Sequence, residues 1–94
     1  MKVTVRSILY ISKILGSRSI SVELDEPATL STLLDTLANT YGEQFLDKVG
    51  NKDGYLQDTV AVLINGTSVM AKDDLQTRLV EDDDVLIMPI IRGG

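Results

Sequence analysis

The residues with the most chemistry to offer stand together at the end of the sequence: Asp82-Asp83-Asp84-Val85-Leu86-Ile87-Met88-Pro89-Ile90-Ile91-Arg92-Gly93-Gly94. Three adjacent carboxylates could gather a cation, but such a run at a turn is more often a solvated face, which is the preferred reading. Gly93 and Gly94 carry no side chains, so a chain ending in them can enter a slot that admits only backbone. The distinctive group there is the α-carboxylate of Gly94. A carboxylate is a poor electrophile until it carries a good leaving group, so this end is a substrate for activation rather than a catalyst. The bland alternative is a frayed terminus. Against it stands the order of the stretch, in which an apolar run leads to a proline and then to glycines.

The elements must deliver this end to a partner. Val85 to Met88 is apolar without alternation, which predicts a strand covered on both faces. Pro89 has no amide hydrogen and is expected to end the ladder, leaving a flexible tail over about residues 89–94.

Composition narrows the function further. The 94 residues make one domain, 1–94, and 44% of them are apolar. The formal charge of -5 argues against nucleic acid and against anionic membranes. The sequence has no cysteine and no histidine, which removes thiol nucleophiles, thiolate metal sites and the commonest general base. No apolar run is long enough to span a bilayer, and the N-terminus alternates instead of reading as a signal peptide. A cytoplasmic protein that is not itself an enzyme is expected, with no metal and no bound cofactor.

In chain order, Lys2 to Tyr10 begins as an alternating strand, with Val3 and Val5 on one face and Lys2, Thr4 and Arg6 on the other. Ser12 to Leu15 suggests a helical turn closed by Gly16. Ser19 to Leu24 alternates again, Ile20, Val22 and Leu24 pointing inward. Leu30, Leu33, Leu34, Leu37 and Tyr41 form one helical stripe, with Thr29 placed to cap it and Gly42 to end it. Phe45, Leu46 and Val49 fit a short second helix, and 50–54 is a loop by composition. Thr59 to Ile64 is a second continuous apolar strand, followed by Asn65-Gly66, a hairpin turn with both central residues at positive φ. Asn65-Gly66-Thr67 also matches a glycosylation acceptor, but turn chemistry accounts for both residues. Asp73 to Leu79 reads as a connection with one helical turn. The result is an α+β domain, one main helix packed across one face of a mixed sheet of about four to five strands.

These residues carry a resemblance. The chain resembles the ubiquitin-like β-grasp fold, and within it the sulfur-carrier family of the molybdopterin-synthase small subunit and the thiamine sulfur carrier. The likeness rests on Tyr10 to Gly16, Thr29-Leu30, Val62 to Gly66, the acidic turn and Pro89 to Gly94. It implies that the first and last strands lie parallel at the sheet centre. It also implies an activating enzyme similar to ubiquitin-activating enzymes, which uses ATP and magnesium to adenylate Gly94 while Gly93 threads the slot. A thiocarboxylate on Gly94 would then give sulfur to a precursor held by a molybdopterin-synthase large subunit or another acceptor protein. The alternatives are thiamine or another sulfur metabolite as destination, a modifier conjugated to lysines, for which Arg92 speaks, or a plain binding module. Three features depart from the family pattern: Asp83 replaces a glycine, where its tolerance of left-handed backbone is expected to preserve the turn; Ser12 replaces an arginine; and Ile91-Arg92 resembles the tail of ubiquitin itself as much as that of a sulfur carrier. Ser68, at a partner-binding position of the family, is polar.

One helix covers one sheet face, so the other is expected to be partly open. Leu86 and Met88 share a face of the last strand, and Ile8 is expected beside them on the first strand. Ile8, Leu86, Met88, Pro89, Ile90, Ile91 and Arg92 are the expected partner-binding residues.

Overall fold

The computed structural model describes residues 1–50 and 56–90. Most of the expected loop at 50–54, and all of Ile91 to Gly94, lie outside the described residues.

The first strand, β1, spans Lys2–Ser7 and buries Val3 and Val5 while exposing Lys2 and Arg6. It does not continue to Tyr10. Leu9–Leu15 form helix α1, longer than the expected turn, with Gly16 left-handed at its end. Ile11 and Leu15, four residues apart, are its buried anchors. The run Ile8 to Ile11 was ambiguous because so short an apolar stretch has no readable period. Strand β2, Ser19–Glu23, returns antiparallel to β1, pairing Val22 with Val3 and Ile20 with Val5.

Helix α2, Leu30–Tyr41, buries Leu30, Leu33, Leu34 and Leu37, with Tyr41 half-buried at the end of the stripe. Thr29 caps it reciprocally: its hydroxyl accepts from Thr32 N–H at 3.3 Å, and the Thr32 hydroxyl accepts from Thr29 N–H at 3.2 Å. The first helical N–H, that of Leu30, is satisfied by Thr77 C=O at 2.9 Å. The cap lies in a two-residue ladder absent from the sequence reading, β3 (Ala28–Thr29) paired with β6 (Arg78–Leu79). Helix α3, Glu43–Lys48, follows and buries Phe45. Strand β4, Val60–Ile64, turns through Asn65 and Gly66, both at positive φ, into β5, Thr67–Ser68. The last strand, β7, spans Asp84–Pro89.

The five-stranded sheet has the order β2-β1-β7-β4-β5, with β1 and β7 parallel at its centre. The α+β ubiquitin-like β-grasp architecture follows. Among the described residues no helix is long and apolar enough to cross a membrane.

Two expectations about β7 are corrected. It is not covered on both faces: Val85, Ile87 and Pro89 are buried, while Asp84, Leu86 and Met88 between them are half-exposed. β4 behaves alike, with Val60, Val62 and Ile64 buried and Ala61 and Leu63 half-exposed. The buried sets face the core under α2; the others, Asp84 apart, are apolar without being enclosed. Nor does the free tail begin at Pro89, which is the last residue of the ladder as expected. It pairs with Val60, and Ile90 N–H donates to Thr59 C=O at 2.8 Å one residue later. Antiparallel pairs alternate between hydrogen-bonded and non-hydrogen-bonded. The Ile90–Thr59 bond makes Pro89–Val60 a non-hydrogen-bonded pair, so β4 asks no donor of Pro89. On its other flank, β1 has already ended at Ser7, which pairs with Ile87. The missing N–H therefore falls where no strand needs it.

The acidic turn is solvated at Asp82 and in part at Asp84, as expected, but Asp83 between them is a structural knot. Asp83 is only 6% exposed. Its carboxylate accepts from Asn65 Nδ2 at 2.9 Å and from Val80 N–H at 2.8 Å. Asn65 Oδ1 accepts in turn from Asp84 N–H at 2.9 Å. Asp83 C=O takes Thr4 N–H at 2.9 Å, and Asp82 N–H donates to Lys2 C=O at 2.8 Å. The left-handed residue is Asp82, at φ 68, not Asp83 as expected. The strain moves one place because the residue after it is needed as a buried acceptor.

This generates a graded prediction. Asp83→Ala leaves two donors without their acceptor and should lower unfolding free energy by about 1–3 kcal/mol. Asp83→Asn keeps one acceptor oxygen and should fall between Ala and the native chain. Urea denaturation of the three proteins checks the order; an unaffected Ala variant would remove the knot from the account.

Candidate functional site

The site grows from the half of the sheet that α2 does not cover. Side chains alternate along each strand, so Leu86 and Met88 emerge on the face opposite the core. Cross-strand register supplies their neighbours: Leu86 lies between Arg6 of β1 and Leu63 of β4, and Met88 lies beside Ala61. Ser68 stands opposite Leu63 at the end of the row, half-buried and polar. The apolar residues Leu63, Leu86, Met88 and Ala61 thus form one patch near the end of β7.

Ile8 is not on β1 as expected. It lies one residue past the strand, at the start of α1, and is 38% exposed. The parallel register, extended by one residue from the Ser7–Ile87 pair, still sets it beside Met88. Leu9 follows at φ 56 and is exposed, as is Tyr10. The patch therefore continues onto the first turn of α1. Pro89 faces the core and is buried, so it supports the patch from behind and contributes no free surface. Ile90 is exposed at 42%, with its backbone fixed to Thr59. Ile91, Arg92, Gly93 and Gly94 lie outside the described residues.

A polar border closes the patch at the end away from the tail. Arg6 Nε donates to Asp84 Oδ1 at 2.8 Å and Nη2 to Oδ2 at 2.7 Å, a bidentate pair in contact with solvent. The hydrogen bond to Asp84, and secondarily its charge, raise the Arg6 pKa above its ordinary value, with slight opposition from desolvation. Beyond the pair this face turns polar, with Lys2, Thr4, Ser19 and Ser21. The three aspartates of the acidic turn do separate work: Asp82 takes the left-handed bend, Asp83 holds the knot, and Asp84 pairs with Arg6.

The sequence reading found Leu86, Met88 and Ile8 but missed Leu63 and Ala61. Their signal was the unbroken apolar run of β4, read as burial on both sides. A continuous run bordered by a short strand is also what a half-open apolar face produces.

Comparison with known proteins follows the same lines. The model of the ThiS family matches residues 11–94. A provisionally named sulfur carrier protein of Archaeoglobus fulgidus is 31% identical over 74 residues, covering 78% of this chain and 83% of that protein. The crystal structure of small archaeal modifier protein 1 from Haloferax volcanii superposes with TM-score 0.79 at 26% identity, covering both chains completely. A provisionally named molybdopterin converting factor subunit 1 from Pyrococcus furiosus superposes with TM-score 0.78 at 25% identity, covering 97% of this chain and 99% of that one.

The two faces of β7 should respond oppositely to substitution. Ile87→Ala opens a cavity under α2 and should cost about 2–5 kcal/mol. Met88→Glu, on the open face, should cost less than about 1 kcal/mol. Chemical denaturation of both variants checks this; an unfolded Met88→Glu protein would place Met88 in the core.

Proposed function

The chain belongs to the ThiS family of ubiquitin-like sulfur carriers, and from that premise we propose that its end is activated and loaded with sulfur by a partner enzyme. An activating enzyme similar to ubiquitin-activating enzymes binds the open face and threads Gly93 and Gly94 into its ATP site. The Gly94 carboxylate attacks the α-phosphate of magnesium-bound ATP and releases pyrophosphate. A sulfide-level donor then displaces AMP, leaving a thiocarboxylate in place of the carboxylate. The carrier delivers that sulfur to a cofactor precursor, with a molybdopterin-synthase large subunit as the preferred acceptor. The chain supplies no acid, base or metal; it is the substrate, and the catalytic groups belong to the partners.

The observation that carries this reading is the placement of patch and tail root on one strand. Leu86 and Met88 project from β7 just before Ile90, whose backbone is pinned to β4. A partner gripping the patch therefore holds the root of the tail at a fixed distance from its own reactive centre. That converts a collision of two chain ends into an oriented approach. Two glycines let the backbone follow a slot too narrow for side chains. The Pyrococcus furiosus likeness supports molybdopterin as the destination.

A second reading is a protein modifier joined to lysines through Gly94. Arg92 before the glycines favours it, as does the likeness to the small archaeal modifier protein. The same activated acyl group serves both outcomes, and only the nucleophile differs.

Tail and patch are separable by mutation. Deleting Gly94, or making Gly93→Val, should abolish ATP-dependent pyrophosphate release with the cognate activating enzyme while thermal melting is unchanged. Normal adenylation of Gly93→Val would sink the threading model. Met88→Glu should instead weaken binding to that enzyme by at least ~2 kcal/mol, as for an interface anchor. Intact mass after incubation with the enzyme, ATP and sulfide should show one carboxylate oxygen replaced by sulfur. Gel-stable conjugates without any such replacement would favour the modifier reading.

A further inference from the structure

A second surface adjoins the patch just described, along the outer edge of β4, and shares Ala61, Ser68 and Ile90 with its border. β5 is two residues long and pairs only with Leu63 and Ile64. From Val60 to Val62 the edge of β4 therefore has no neighbouring strand among the described residues; Val60 N–H is taken by Gln57 C=O at 3.1 Å, while Val60 C=O and Val62 N–H face outward. An uncovered edge presents backbone donors and acceptors to any extended chain laid beside it. Natural proteins usually protect such an edge with charge or proline. Here it opens into a groove of about 750 Å³, with Val60, Leu56, Leu75 and Met70 among its walls. Met70 is 79% exposed, the most exposed large apolar side chain of the described residues.

Among the described residues that line the groove the charge is one-sided: Asp58, Asp73 and Asp74, with no lysine or arginine. Asp73 and Asp74 are exposed at its rim on the short 3-10 turn that follows Met70.

We propose that this groove binds an extended, basic segment of a partner protein by strand addition to the edge of β4. Backbone groups of the segment pair with Val60 C=O and Val62 N–H, alternate apolar side chains enter the groove, and the intervening lysines or arginines meet Asp73 and Asp74. The surface borders the Leu86–Met88 face through Ala61, Ser68 and Ile90 without including Leu86 or Met88, and binding there does not require the tail chemistry. The one-sided charge of its described lining favours a basic segment supplied by a partner.

The test uses the whole chain, labelled with 15N, and a synthetic hexapeptide alternating valine and lysine. Controls alternate valine with glutamate and serine with lysine. The expected result is saturable amide shifts at Val60 to Val62, Val69 and Leu75 with the valine–lysine peptide alone. Asp73→Asn with Asp74→Asn should weaken binding by about five-fold or more. Asn tolerates the positive φ of residue 74, so the double variant should keep its fold. Raising salt with the unaltered chain gives the same readout without any substitution, since screening weakens the rim charges. Shifts centred on Leu86 and Met88, shifts scattered over the acidic surface, or no saturation would each overturn the proposal. So would binding at least about ten-fold tighter after removal of residues 91–94, which would make the tail the groove's natural occupant.

Discussion

The parallel pairing of β1 with β7 is the contact on which the rest of the molecule depends. It joins Val5 to Val85 and Ser7 to Ile87, residues from opposite ends of the chain. Such a pair closes nearly the whole sequence into a loop, so its entropy cost must be met by the core that forms around it. Val3, Val5, Val85 and Ile87 supply the sheet side of that core, and the leucines of α2 supply the other. Neither layer could bury its apolar face without the other. The pairing also brings the last strand to the sheet centre, which gives the end of the chain a rigid base.

Apolar burial does not by itself fix the register of a strand that is apolar on both faces. A slip by one residue would exchange Val85 and Ile87 for Leu86 and Met88 at little hydrophobic cost. The Asp83–Asn65 knot restricts that freedom. It ties the entry of β7 to the β4–β5 turn and to Val80, while Asp83 C=O and Asp82 N–H engage β1 from the other side. Buried polar groups of this kind are satisfied in one arrangement only, so they select among packings of similar apolar area. The Arg6–Asp84 pair repeats the choice on the open face, though in contact with solvent it orients more than it stabilises.

The same two-faced strand links stability to function. One set of β7 side chains holds the domain together, and the alternate set offers an apolar patch that a monomer has little reason to keep unless something binds it. Because both sets belong to one strand, the pairing that fixes the core also fixes where the patch side chains emerge. Pro89 completes this arrangement. It sits where a missing donor harms no pairing, and its side chain is buried while Ile90 beside it is exposed.

Much of this was legible in the sequence because it depends on local chemistry. The leucine stripe of α2, the Thr29 cap, the Asn65-Gly66 turn and the alternation of β1 follow from spacing and residue type alone. The family resemblance, carried mainly by the end of the chain, supplied the parallel centre of the sheet. What the sequence could not decide was how far each apolar run is covered. Val60 to Ile64 and Val85 to Met88 look alike whether one face or both are enclosed, since enclosure depends on what the rest of the chain places above them. The start of α1 within Ile8 to Ile11, the β3–β6 ladder and the burial of Asp83 share that origin. Each is set by partners distant in sequence, Arg18 for Ser7, Leu79 for Ala28, Asn65 for Asp83, and only the tertiary structure brings those partners within hydrogen-bonding reach.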